Sequence, residues 1–209
     1  GVSMSGMGLA VGDYNLDGSL DFFMTNIGQN TLLKNNGDGQ TFTITTLDSG
    51  VGVPKIGRLP RVAWGTVFFD YDNDGDEDLY IVSGFMDFGT LLSNPQKQPN
   101  VLLRNNGDGT FTDVSKRSGA DDEGIGRGGV YLDFNRDGCL DLFIANLRQE
   151  TKLLKNECAS KNNWLLIKVV GVTSNRDGIG SRVTVMTEGV TRVREVSSGS
   201  SQMGQNMMM

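Results

Sequence analysis

Three short acidic loops constrain the fold of this chain more than any other feature of its sequence. They read GDYNLDGSLDFFM, FDYDNDGDEDLYI and LDFNRDGCLDLFI, and each follows the pattern D-x-[DN]-x-D-G-x-x-D. One such loop on its own could be a solvated acidic turn. Oxygens at alternate positions can instead converge on one hard cation, and the glycine permits the sharp turn that closes the loop. Three copies in the same register favour metal binding.

The chemistry of the ligands indicates calcium. All candidate ligands are oxygen atoms and the chain has no His, whereas softer metals prefer nitrogen or sulfur. Magnesium would take fewer protein ligands and keep more water. The seventh position varies freely, as expected if it contributes only its main-chain carbonyl. The sequence therefore predicts three Ca²⁺ sites with these residues: Asp13, Asn15, Asp17, Ser19 and Asp21 (loop one), Asp70, Asp72, Asp74, Asp76 and Asp78 (loop two), and Asp133, Asn135, Asp137, Cys139 and Asp141 (loop three).

The loops do not fit an EF-hand, which needs a bidentate Glu at loop position 12 and a helix on each side. Position 12 is Met24, Ile81 or Ile144 here. The flanking segments, such as TVFF and DLYIV, are rich in β-branched and aromatic residues, which favour strands. The sequence therefore predicts calcium loops that each connect two strands.

Each loop belongs to a longer repeat. A glycine-containing strand precedes the loop, an apolar strand follows it, and a third strand ends in NTLLKN, NVLLRN or TKLLKN. After the first two of these segments, NNGDGQTFT and NNGDGTFT are hairpin turns that enter a fourth strand. We interpret Asp38 and Asp108 as turn-forming residues; a second metal site is the alternative. Four short strands per unit, repeated at roughly 60 residues, predict propeller blades.

In this order of loop, strands and hairpin, the repeats resemble FG-GAP/VCBS-type blades, the calcium-loop blades also found in integrin α-subunit propellers. The resemblance covers about residues 3–157. It implies an all-β fold with a partial set of β-propeller-type four-stranded blades, because three blades are too few to close a ring. Alternation along the strands predicts that Val67, Phe69, Leu79 and Ile81 pack against neighbouring blades.

The sequence after the third repeat has no further loop of this pattern. Its segments NNWLLIKVVG, SNRDGIGSRVTV and REVSSGSS resemble the start of the ASPIC/UnbV domain, which follows FG-GAP blades in many secreted or cell-surface proteins. We therefore predict three calcium-loop blades in residues 1–160 and the start of a C-terminal β domain in residues 161–209. SNRDGIG is predicted to be a tight turn, and a ligand role for Asp177 is the alternative.

Charge and residue types narrow the function. A formal net charge of −6 without a basic stripe argues against nucleic acid as a partner. No apolar run is long enough to cross a bilayer. Because the chain has no His and no acid pair outside the calcium loops, we expect no enzyme activity; a polysaccharide lyase or hydrolase is the enzymatic alternative.

Two functions remain for a non-enzyme. The first is a calcium-binding extracellular recognition or adhesion module that binds a protein or glycan through loops on a propeller face. The second is a structural subunit of an extracellular assembly or filament, which would self-associate through open blade edges with unpaired backbone groups. Both imply a secreted, extracellular or cell-surface protein, with the periplasm as an alternative location.

The chain contains two cysteines, Cys139 and Cys158, which suits one disulfide in a secreted protein. Cys139 lies in the predicted turn between the first and second strands of blade three, and Cys158 follows its third strand. In an up-and-down meander these turns lie on the same face, so we predict a bridge that braces loop three from outside. Two unrelated thiols are the alternative.

Overall fold

Antiparallel strands account for almost all of the regular secondary structure among the described residues, and they form three consecutive blades followed by a hairpin. The computed structural model describes residues 5–52, 60–86, 97–157, 162–187, 189–199 and 201. No helix in these residues is long and apolar enough to span a membrane. Because nearly all of its regular elements are antiparallel strands, the fold is all-β and corresponds to part of a propeller, as the sequence predicts.

Blades one and two are four-stranded meanders in which every strand pairs with its neighbours in sequence. Blade one contains β1 (Leu9–Gly12), β2 (Asp21–Met24), β3 (Thr31–Asn35) and β4 (Phe42–Ile44). Blade two contains β5 (Ala63–Phe69), β6 (Asp78–Ser83), β7 (Val101–Asn105) and β8 (Phe111–Asp113). A single helical turn, α1 (Ser115–Ser118), follows blade two.

Blade three is shorter in the described part of the chain. It contains β9 (Gly126–Leu132), β10 (Asp141–Asn146) and β11 (Lys152–Leu154), in the order β11-β10-β9. A fourth strand does not follow β11 among the described residues. The next strands are β12 (Arg182–Thr187) and β13 (Val190–Glu195), which pair with each other and with no other described strand. The predicted boundary between residues 160 and 161 lies outside the described residues and stays a prediction.

The core consists of two apolar clusters, one on each face of blade two. Leu79 and Ile81 belong to a cluster with residues of blade one. Val67 and Phe69 belong to a second cluster with residues of blade three. All four side chains are buried, as predicted. Leu79 and Ile81 lie on one face and Val67 and Phe69 on the other, because successive strand residues alternate between the two faces of a sheet.

Each blade turns the same face towards the blade before it. Phe68 and Leu79 are cross-strand partners on the face of blade two that contacts blade one. Tyr131 and Leu142 occupy the same positions in blade three and pack towards blade two. The corresponding face of blade one is largely exposed. Its outermost apolar side chains are Leu9, Val11, Phe42 and Ile44, which are 40–56% exposed.

Candidate metal centres

The three acidic loops share one hydrogen-bonding pattern, centred on the first aspartate of each. In loop one, Asp13 Oδ1 is 3.1 Å from Asp17 N and Asp13 Oδ2 is 3.0 Å from Gly18 N. Loops two and three repeat both bonds at 2.9–3.1 Å, with Asp70 and Asp133 as the acceptors. The backbone therefore folds in the same way in all three loops, although the residues between the shared positions differ.

The fifth-position aspartate tightens each loop further. Its Oδ1 accepts the main-chain N–H of the seventh residue at 2.9–3.0 Å, with donors Ser19, Asp76 and Cys139. The sixth position has a positive φ of 84°, 95° or 85°, a conformation that glycine adopts without steric cost. The fourth position is also left-handed, at Leu16, Asn73 and Arg136, which the sequence analysis did not anticipate.

The ninth-position aspartates are fully buried in all three loops. Asp21, Asp78 and Asp141 each begin the second strand of a blade and are 0% exposed. In each, Oδ1 accepts a main-chain N–H at 2.8 Å from an asparagine at or just after the end of the third strand. The donors are Asn35 for Asp21, Asn105 for Asp78 and Asn156 for Asp141. The third strand thus fixes the orientation of the ninth ligand position from outside the loop.

The side chains of two of these asparagines, Asn105 and Asn156, also connect their own loop to the loop of the preceding blade. Asn105 Nδ2 donates to the Glu77 carbonyl in its own blade and to the Tyr14 carbonyl in loop one. Asn156 Nδ2 donates in the same way to Leu140 and to Tyr71 in loop two. Sequence analysis missed this role, although the recurring asparagine at the end of each third strand was visible as a signal.

Carboxylate oxygens converge most closely in loop two. One oxygen each from Asp70, Asp72 and Asp78 lies within 4.8 Å of the others. Among the described residues, Asp72 Oδ1 in loop two and Asp21 Oδ2 in loop one are buried without a partner at hydrogen-bond geometry, although the main-chain N–H of Tyr14 lies close enough to Asp21 to oppose the rise that burial causes in its pKa. An ionised carboxylate oxygen is only an acceptor, so burying it without a donor or cation is costly.

Burial of these carboxylates makes ionisation unfavourable in the absence of a cation. Burial raises the pKa of Asp21 to about 7 and that of Asp70 to about 6, and neighbouring loop carboxylates add to both shifts. The pKa of Asp78 rises to about 9 for the same two reasons, with burial the larger. A bound cation would reverse this balance, because an opposite charge nearby favours the ionised form.

The remaining predicted ligands lie at the more open side of the loops. Asn15 Nδ2 is 3.0 Å from Asp17 Oδ2, and Asn135 Nδ2 is 2.6 Å from Asp137 Oδ2. In loop two the third position is Asp72, so the same contact cannot form and the two carboxylates repel each other. Loop two is therefore the most negatively charged of the three.

The other residues considered in the sequence analysis take part in turns or are buried. Asp38 accepts the main-chain N–H groups of Gln40 and Thr41, and Asp108 accepts that of Thr110, as expected of turn residues. The segment 174–180 is a turn, which fits the interpretation of Asp177. Cys139 is buried. Cys158 lies outside the described residues, so the disulfide stays a prediction.

Comparisons with known proteins agree with this architecture. The chain matches the FG-GAP-like repeat family over residues 13–81 and 84–144, and the ASPIC and UnbV family over residues 171–208. Cartilage acidic protein 1 of Homo sapiens is 25% identical over 169 residues, and that of Mus musculus is 27% identical over 167. Each alignment covers 78% of this chain and 24% of the relative. The chain thus spans about a quarter of the length of these relatives.

Proposed function

Because the chain belongs to the FG-GAP-like repeat family, we propose that it is a calcium-stabilised recognition module of the extracellular space. Each of the three loops binds one Ca²⁺ through carboxylate or amide oxygens at positions one, three, five and nine and the carbonyl at position seven. The module then presents the loops of one propeller face to a protein or glycan.

One observation carries the calcium proposal. Asp72 Oδ1 is a buried acceptor without a donor among the described residues, and it belongs to a loop whose other carboxylates are already turned inwards by main-chain N–H groups. Such an arrangement suits a hard cation with oxygen ligands. A structural water would satisfy one acceptor, but it would not offset the repulsion among the charges of loop two.

Calcium would act mainly on stability. The loops join the first and second strands of each blade, so they fix how these two strands meet. A ligand that binds the folded chain but not the unfolded chain stabilises the fold by mass action. The predicted chemistry is therefore structural, and a carboxylate that ligates calcium is a poor general base.

The location is supported by the relatives. They are named for cartilage, a tissue composed largely of extracellular matrix, and an acidic net charge of −6 suits a surface that meets cationic proteins or calcium-bridged glycans. Recognition of a partner is favoured over catalysis, because the chain has no His and the clustered carboxylates belong to the loops.

Self-association is a second candidate function, favoured by the outer face of blade one. Val11, Phe42 and Ile44 are exposed there, whereas the residues at the equivalent positions of blade two include the buried Phe68 and Phe111. A second copy of the chain that covered this face would bury a surface already shaped for blade packing.

Isothermal titration calorimetry tests the calcium proposal directly. We expect three equivalents of Ca²⁺ per chain after treatment with chelator. The same sample, applied to an array of matrix proteins and acidic glycans, should bind a subset of them in calcium only. An absence of any calcium binding at millimolar concentration would refute the proposal.

A further inference from the structure

The C-terminal part of the chain contacts the sixth-position glycine of every acidic loop. Arg182 Nη2 donates to the Gly18 carbonyl, and Arg192 Nε lies 2.8 Å from the Gly75 carbonyl. At the third loop, a Cβ on Gly138 would collide with the indole of Trp164. At Gly75 and Gly138, glycine therefore permits close approach of the C-terminal part as well as the turn of the loop, whereas a Cβ on Gly18 would meet no atom within 4 Å.

Glu77 joins the hairpin β12–β13 to two loops at once. It occupies position eight of loop two, where loops one and three have Leu20 and Leu140. Its carboxylate is 4% exposed; Oε2 accepts the main-chain N–H of Asp13 at 2.7 Å, and Oε1 lies 3.2 Å from Arg194 Nε. Loop one, loop two and strand β13 therefore meet at a single buried side chain.

The residue opposite Glu77 fits this role. Blades two and three have Phe69 and Leu132 directly before the loop, whereas blade one has Gly12. A Cβ at Gly12 would collide with the Glu77 carboxylate, and φ at Gly12 is not among the positive values. The glycine is thus needed for space rather than for backbone conformation, which indicates that blade one is shaped around Glu77.

We propose that docking of the hairpin β12–β13 and calcium binding by loops one and two are thermodynamically linked, with Glu77 as the positioning residue that couples them. This inference rests on the proposed calcium binding. The acidic loop face of blades one and two is then a docking surface, and its partner is the arginine-bearing hairpin of the same chain.

The contacts explain the sign of the linkage. Arg182 and Arg192 donate to sixth-position carbonyls, and Arg194 pairs with Glu77. Among the described residues, none of the three therefore donates a hydrogen bond to a predicted ligand atom, although the charges of Arg192 and Arg194 oppose the rise that burial causes in the pKa of Asp76. Calcium holds each loop closed and keeps these acceptors in place. Without it, repulsion among the carboxylates opens the loops and the arginines lose their partners. By reciprocity, a docked hairpin raises calcium affinity by the same factor.

Hydrogen exchange of the whole chain tests the first half of the linkage. We expect chelator to reduce protection of residues 182–187 and 190–195 by at least about tenfold more than protection of β6, which lies in the core. Calcium should restore it. Calorimetry on the same sample separates the two proposals: no calcium binding contradicts the proposed function, whereas calcium binding with unchanged hairpin protection overturns only this inference.

Charge-neutralising variants test the second half. In an Asp137→Ala background, where heat comes from loops one and two, Arg192→Gln with Arg194→Gln should weaken calcium binding at least about fivefold. Glu77→Gln should do the same, although both loops keep all their predicted ligands. Arg176→Gln is the matched control, since the side chain of Arg176 forms no hydrogen bond or ion pair with an acidic loop among the described residues, where only its main-chain carbonyl is bonded, to Gly171 N. Equal affinity in all variants would overturn the linkage.

Discussion

Asn105 donates its side-chain amide to the main-chain carbonyl of Tyr14, 2.7 Å away in space and 91 residues earlier in the chain. The same amide donates to the Glu77 carbonyl, and its oxygen accepts the N–H of Gly107. One buried side chain therefore connects the third strand of blade two, its hairpin turn and two acidic loops. Blade-to-blade registry depends on this contact as well as on apolar packing.

Removing the Asn105 side chain should lower the free energy of unfolding. Asn105→Ala leaves two buried carbonyls without donors, so we expect a loss of about 2–4 kcal/mol in the free energy of unfolding. Urea denaturation in calcium measures it. Asn35→Ala is the matched control, because Asn35 Nδ2 contacts only the Leu20 carbonyl among the described residues, and its cost should be smaller. Equal costs would contradict a role between blades.

Each loop should account for one calcium ion. Asp17→Ala, Asp74→Ala and Asp137→Ala should each remove one equivalent in calorimetry, because the fifth-position carboxylate both ligates and closes the loop.

Loop two should bind calcium most tightly, because ligand charge raises affinity. Asp72→Asn gives loop two the residue type that loops one and three have at position three, and should lower its affinity by about tenfold. Unchanged stoichiometry in the three alanine variants, or unchanged affinity in Asp72→Asn, would contradict the assignment of these ligands.

Chelation should lower the melting temperature, and magnesium should restore only part of the loss. Magnesium requires a smaller octahedral shell and retains its water, whereas calcium accepts a flexible cage of protein oxygens. Differential scanning calorimetry in chelator, calcium and magnesium gives the comparison. Equal melting temperatures in all three conditions would show that the loops hold no structural metal.

The metal-free chain should become less stable as the pH rises from 5 to 9. In the folded state the pKa of Asp70 is about 6, that of Asp21 about 7 and that of Asp78 about 9, against an ordinary value of 3.8. The folded chain therefore binds these protons more tightly than the unfolded chain, and stability is lost as the pH passes each folded pKa. Melting curves in chelator across this range should show the decline.

Calcium should abolish this trend, because the cation favours ionised carboxylates. The control is the same pH series with saturating calcium, in which the melting temperature should stay level or rise between pH 5 and 9. A decline of equal slope with and without calcium would show that these carboxylates do not bind the ion.

The disulfide prediction concerns Cys139 and Cys158. A bridge would close about 20 residues and contribute on the order of 3 kcal/mol through the entropy of the unfolded chain. Mass spectrometry of unreduced peptides from protein purified without reductant should detect the linked pair. If the bridge is present, Cys139→Ser with Cys158→Ser should lower stability without changing calcium stoichiometry. Two free thiols would instead show that the predicted topology is wrong.

The sequence predicted the repeated units well because their signals are local. Loop residues, strand alternation and turn glycines each depend on neighbours in the chain, so the order of strands in blades one and two was predictable. The burial of Leu79 and Phe69 was predictable too. Which neighbouring blade each side chain contacts was not, since that depends on how separate sheets stack.

The contacts between distant segments could not be predicted in the same way. Glu77 was one acid among many in loop two, and only the fold brings it to Arg194 and to the backbone of Asp13. The left-handed backbone at Leu16 has no residue-type signal, because the loop imposes it. Blade three was expected to match its neighbours, yet the described residues after β11 form no fourth strand.

The shared orientation of the blades gives the stack a direction. Phe68 and Tyr131 both lie on the face turned towards the preceding blade, so the two ends of the array present different surfaces, with Val11 at one and Phe143 at the other. A contact between the first surface of one copy and the second surface of another cannot form about a two-fold axis. Self-association of that kind is head-to-tail, and it must either close into a ring or continue as a fibre.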